Sequence, residues 1–108
     1  MIDTNRRLEP LEDQKVYLLV ELTILPGFLD EVKAILNEAL VPTLQEPGCI
    51  GLFETARKDD PHKLVFFEVF SSTAAHESHL AQDYTKRAIA LLKGKTSGVS
   101  TQTRLSEL

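Results

Sequence analysis

The chain has 108 residues, 12 basic against 16 acidic, a net charge of −4, 43% hydrophobic residues and a single cysteine. A chain of this length makes one domain that buries roughly two-thirds of its unfolded surface, so it needs no covalent staples. Cys49 alone excludes an internal disulfide framework and a multi-cysteine metal site and fits a reducing compartment, with the cytoplasm as the default; the scattered basic residues leave no footprint for nucleic acid or an anionic membrane.

Residues 1–14 are polar, carry Arg6, Arg7, Glu9, Glu12 and Asp13 around Pro10, and lack the apolar segment of a signal peptide. They are expected to form an extended or disordered arm, or one laid on a partner subunit, ahead of a domain over residues 15–108. Val16 to Leu25 alternates as a strand with Val16, Leu18, Val20, Leu22 and Ile24 on one face and Tyr17, Leu19, Glu21, Thr23 and Leu25 on the other. Both faces are largely apolar, which places the strand inside a layered structure or at an assembly interface. Pro26-Gly27 ends it. Phe28 to Leu40 then repeats at helical spacing, with Phe28, Val32, Ile35, Leu36 and Ala39 on one stripe. Pro42 predicts a kink, or a second short turn from Thr43 to Glu46, before Pro47-Gly48.

A β-hairpin follows. Leu52 to Arg57 and Leu64 to Phe70 are rich in apolar, β-branched and aromatic residues, and Asp59-Asp60-Pro61 breaks the chain between them. Ser71-Ser72-Thr73 offers N-caps to a helix from Thr73 to Ala81; a second piece, Tyr84 to Leu92, follows a break at Gln82-Asp83 and closes at Gly94. Ser97 to Leu105 alternates as a last strand with one wet face. The order βαββααβ, with right-handed crossovers, makes an α+β, ferredoxin-like, four-stranded antiparallel sheet with helices on one face. The bare sheet face, apolar in the first and third strands, predicts a homodimer packed sheet against sheet.

Several short motifs in this order resemble the antibiotic biosynthesis monooxygenase family of dimeric α+β barrels: Leu25-Pro26-Gly27, Glu46-Pro47-Gly48-Cys49, Asp60-Pro61, Phe67-Glu68-Val69-Phe70, and Ala75 with His79-Leu80-Ala81. The resemblance covers residues 16–105. It implies a cofactor-independent monooxygenase that oxidises a small quinol or a phenolic, polyketide-like molecule with dioxygen, with an isomerase of a small hydroxy-diketone or a non-catalytic ligand-binding or stress-response dimer as alternatives. Many members carry Trp where this chain has Phe70, and a second His and an aromatic where an ungapped match puts Tyr84 and Thr85; a one-residue gap would instead align Tyr84 with the aromatic and delete the second His. Members that degrade haem resemble one another through an Asn near the position of Val20 and a later Trp. This chain has neither, and haem degradation is not expected.

Chemistry concentrates in a few side chains. His79 matches the family motif and is the expected base in a pocket between helices and sheet, against the alternative of a histidine that ties helix to sheet. Glu68, flanked by aromatics, reads as a second acid/base group or an anchor for His79, or else as an ion pair with Arg57, Lys86 or Arg87 or a dimer contact. Tyr84 donates to a substrate oxygen or simply packs. Phe66, Phe70, His76 and Glu54 are the expected substrate contacts, with Glu54 sharing a face with Glu68 if the hairpin register allows. Cys49 reads as a small buried hydrophobe and His62 as a surface residue. No spacing suits a metal, and no fingerprint calls for a flavin or nicotinamide.

Overall fold

The computed structural model describes residues 14–108; apart from Gln14, the expected N-terminal arm lies outside the described residues. The elements run β1 (Val16–Ile24), α1 (Leu29–Leu44), β2 (Cys49–Ala56), β3 (Lys63–Phe70), α2 (Thr73–Ala81), α3 (Asp83–Leu92) and β4 (Thr96–Leu105). The four strands form one antiparallel sheet in the order β2-β3-β1-β4. This is the ferredoxin-like βαββααβ arrangement expected from the order of the elements. No helix among the described residues is long and apolar enough to cross a membrane.

The period of two in β1 decides what the sheet buries. Val16, Leu18, Leu22 and Ile24 are buried, and the register sets Val16 opposite Phe70, Leu18 opposite Glu68 and Leu22 opposite Leu64, so these residues and the even-numbered residues of β3 share the helix-covered face. One core cluster joins Leu22, Ile24, Leu64 and Phe66 to Val32 of α1; a second joins Val16, Leu18 and Phe70, and Val20 packs against both. Burying each such side chain contributes about 1.5–3 kcal/mol.

The opposite face carries Tyr17, Phe53 and Phe67, whose rings stack across β1, β3 and β2 with centroids 6.4 Å apart in each adjacent pair. Phe53 is 58% exposed there. The face that the alternation left bare is therefore aromatic as well as open.

Two boundaries differ from the sequence reading or refine it. α1 continues through Pro42 to Leu44 instead of stopping near Leu40. A proline removes the N–H that would reach four residues back and crowds that carbonyl, but at this end of the helix other donors close the last turn. The Thr43 hydroxyl donates to the Ala39 carbonyl at 2.7 Å, and the Gln45 and Glu46 N–H groups donate to Pro42 and Thr43 carbonyls at 3.1 Å. The break between α2 and α3 narrows to Gln82, whose extended backbone (φ −68°, ψ 142°) ends one helix and starts the next.

Candidate active site between helices and sheet

The site begins with a close approach of backbone to helix. Ser72 caps α2, its side chain accepting the Ala75 N–H at 3.0 Å. The Ser71 N–H donates to the Gly48 carbonyl at 2.8 Å. Gly48 then lies so near α2 that a Cβ at this position would be 2.4 Å from the Cβ of Ala75. The missing side chain lets the turn at the end of α1 lie directly on α2. His79 stands one helical turn beyond Ala75, on the same face.

Glu46 reaches it there. Nδ1 of His79 is 2.9 Å from Oε2 of Glu46, and the Tyr84 hydroxyl donates to the same oxygen. Both side chains of the pair are nearly closed to solvent, at 11% and 12% exposure. With the carboxylate oxygen as the acceptor, Nδ1 is the ring nitrogen that donates, and Nε2 is the one that Glu46 does not engage. Phe70, fully buried, lies behind both histidines, with its ring centroid 5.0 Å from that of His79 and 5.1 Å from that of His76.

His79 forms part of the wall of a cavity of about 340 Å³ between the sheet and the helices. Leu18, Val20 and Phe66 from the sheet and Leu36, Leu40 and Ile89 from the helices make it mainly apolar, and Glu54, Glu68, His76, Thr85 and Gln102 add polar groups. Burial pushes the Glu54 carboxyl up to about 7, and the nearby charge of Glu68 adds to the rise. Glu68 is also raised by burial, partly offset by His79. Burial, then His79 and Arg104, push His76 down. The Cys49 thiol is raised by burial and by Glu46 and Glu68, which keeps it protonated and unreactive.

Of the residues singled out in the sequence, His79, Glu68, Phe66, His76 and Glu54 meet at this cavity. Phe70 supports the histidine rings from behind. Tyr84 instead faces a second space of about 300 Å³ beside Ile35, Ala39 and Arg87; burial, then its hydrogen bond to Glu46, raises its phenol. The cations named as partners for Glu68 are placed elsewhere: Arg57 pairs with Asp59, Arg87 lies 4.0 Å from Glu38, and Lys86 is exposed and outside the cavity lining. Reasoning from sequence did not single out Glu46, although Glu46-Pro47-Gly48 was visible as a turn, nor the buried Thr85. The available signal was the glycine itself, Gly48; its φ in the structure is not positive, so it serves the close contact with α2.

The family profile described as antibiotic biosynthesis monooxygenase matches residues 15–91. Solved structures agree over nearly the whole fold. A crystal structure of an antibiotic biosynthesis monooxygenase is 24% identical, with 86% of this chain and 98% of that chain covered and a TM-score of 0.82. Proteins assigned to the same group from Caulobacter crescentus (20% identity, 98% and 99% covered, TM-score 0.84) and Nitrosomonas europaea (12% identity, 93% and 96% covered, TM-score 0.83) share the fold at still lower identity. No curated protein matches the chain. Fold and site thus define a small ferredoxin-like α+β protein with a cavity between its helices and its sheet. The chain belongs to the antibiotic biosynthesis monooxygenase family.

Proposed function

We propose that the cavity binds a small electron-rich phenol or quinol and that the protein is a monooxygenase in which the substrate itself reduces dioxygen. The observation that carries this reading is the Glu46–His79 pair at the wall of a mainly apolar cavity. Glu46 holds Nδ1 protonated, so Nε2 is the base that takes the phenolic proton. Tyr84 acts through Glu46 as a positioning residue, and Phe70 fixes the ring plane.

The phenolate passes one electron to dioxygen, and the resulting radical and superoxide join in a C–O bond as a peroxide. That peroxide takes the proton held by His79. Loss of the ring C–H proton then forms a carbonyl as the O–O bond breaks, and the departing hydroxide takes up that proton as water. One oxygen atom stays in the quinone and the other leaves in water, with all electrons supplied by the substrate. A cavity of low polarity favours each charge-separated step only where protein dipoles face it, as the Glu46–His79 pair does. The stacked Tyr17, Phe67 and Phe53 face supports a second part of the reading, a homodimer packed through its sheets.

Oxygen uptake with a panel of hydroquinones and phenols tests the activity. The expected result is one dioxygen consumed per substrate, with one atom of labelled oxygen in the product. Substrates that bind without any oxygen uptake would overturn it.

A further inference from the structure

Glu54 and Glu68 form a feature that the proposed reaction does not use. The pairing of β2 with β3 sets Glu54 opposite Phe66 and Leu52 opposite Glu68. The two acids are therefore diagonal neighbours on the covered face, at a spacing of about 7–8 Å for such positions. Both line the cavity, and among the described residues neither carboxylate has a hydrogen bond or ion pair. Both are half-buried, and a carboxylate drawn partly out of water is ordinarily paired.

Across the cavity, α3 contributes Thr85. It is 7% exposed, and among the described residues its buried hydroxyl has no hydrogen-bond partner. Leaving such a group unsatisfied is costly, and a ligand atom is one way to satisfy it. The charges around the acids are few. His76 and His79 line the same cavity from α2, Arg104 acts on His76 from β4, Glu46 bonds His79, and the Cys49 thiol is close enough to feel both Glu46 and Glu68. Among the described residues Lys93, exposed after α3, is the one cationic Lys or Arg in the lining. The interior thus offers two acceptors and a hydroxyl with no cation between them.

We infer that the cavity selects a phenol carrying a protonated amine, with the ammonium seated between Glu54 and Glu68 and the Thr85 hydroxyl turned to the same ligand. This rests on the reading of the cavity as the substrate site and narrows its substrate class to aminoalkyl phenols. An ammonium group supplies three donors to two carboxylates, and its charge favours their ionised forms against the burial that raises them. Binding below about pH 7 should therefore release protons, since burial and Glu68 push the Glu54 carboxyl up to about 7.

Calorimetry with tyramine and with its neutral analogue, 4-(2-hydroxyethyl)phenol, tests this on the intact chain. Tyramine is expected to bind about tenfold more tightly, the worth of one charge-assisted hydrogen bond, and to release protons, seen as a heat that depends on the buffer at pH 6. Glu54→Gln and Glu68→Gln should each remove most of that preference, read as the ratio of the two affinities within each variant. Equal or weaker binding of tyramine in the unaltered protein overturns the inference, and does so without any variant having to fold. If quinols are still oxidised, the monooxygenase reading survives that result; if neither analogue binds and no quinol is oxidised, both fall together.

Discussion

Nδ1 of His79 and Oε2 of Glu46 lie 2.9 Å apart although 33 residues separate them in the chain. If this pair makes the base, replacing His79 by Ala should lower turnover by roughly two to four orders of magnitude, the usual worth of a positioned general base. Glu46→Gln keeps the shape but removes the carboxylate that fixes the tautomer. Turnover should fall by about 10²-fold or more, given that the orienting carboxylate of a Ser-His-Asp triad is worth about 10⁴. His76→Ala should change turnover little. Melting temperatures measured alongside kcat for the three variants separate lost chemistry from lost folding; a fully active His79→Ala protein would remove the site assignment.

Gly48 is where the pair depends on packing. In Gly48→Ala the new Cβ meets that of Ala75 at 2.4 Å, so the turn carrying Glu46 must move away from α2. Overpacking of this kind costs about 1–3 kcal/mol, a fall in melting temperature of at least about 4 °C for a domain near this size. Activity should fall further than stability, because Glu46 moves with the turn. Adding Ala75→Gly relieves the clash and should restore part of both. A Gly48→Ala variant with unchanged melting temperature and activity would show that the close contact is not needed.

Acid in the cavity floor gives stability a definite pH dependence. Glu54 is raised to about 7 in the folded protein, above an unfolded value of about 4.3. Between those values the folded state holds a proton that the unfolded state has lost, so stability falls as pH rises from about 4.3 to about 7. Glu68 works in the same direction and His76, shifted down, in the opposite one. The informative quantity is thus the difference between the unaltered chain and Glu54→Gln. The variant's melting temperature should fall less over pH 5–7.5 and lie higher at pH 7.5; parallel profiles would contradict the assignment.

The open sheet face makes its own prediction. Phe67 sits between Tyr17 and Phe53 in the stacked row. If two copies pack there, Phe67→Asp places a charge at the centre of the interface and should convert a dimer into a monomer in sedimentation at micromolar concentration. The cavity lies on the other side of the sheet, so tyramine binding measured per folded chain should change much less. An unaltered chain that sediments as a folded monomer would refute the sheet-to-sheet dimer.

The order of the elements, the two-faced β1, the Asp59-Asp60-Pro61 turn and the break at Gln82 are all local properties. Side-chain period, turn chemistry and helix stops act over a few residues, so the sequence by itself determined them, and with them the βαββααβ fold. Pro42 was read too strongly, because whether a proline ends a helix depends on donors such as Thr43 that take over the last turn. The site is another matter. Glu54 shares a face with Glu68 in the register observed, and a one-residue slip would have put them on opposite sides. An irregularity between Cys49 and Gly51 brings Cys49 to the covered face opposite Phe70. Glu46 meets His79 only because α1 continues through Pro42 and Gly48 allows its turn to touch α2. These contacts join residues far apart in the chain, where no periodicity reaches; they were decided by register and close packing, which exist only once the sheet and helices have assembled.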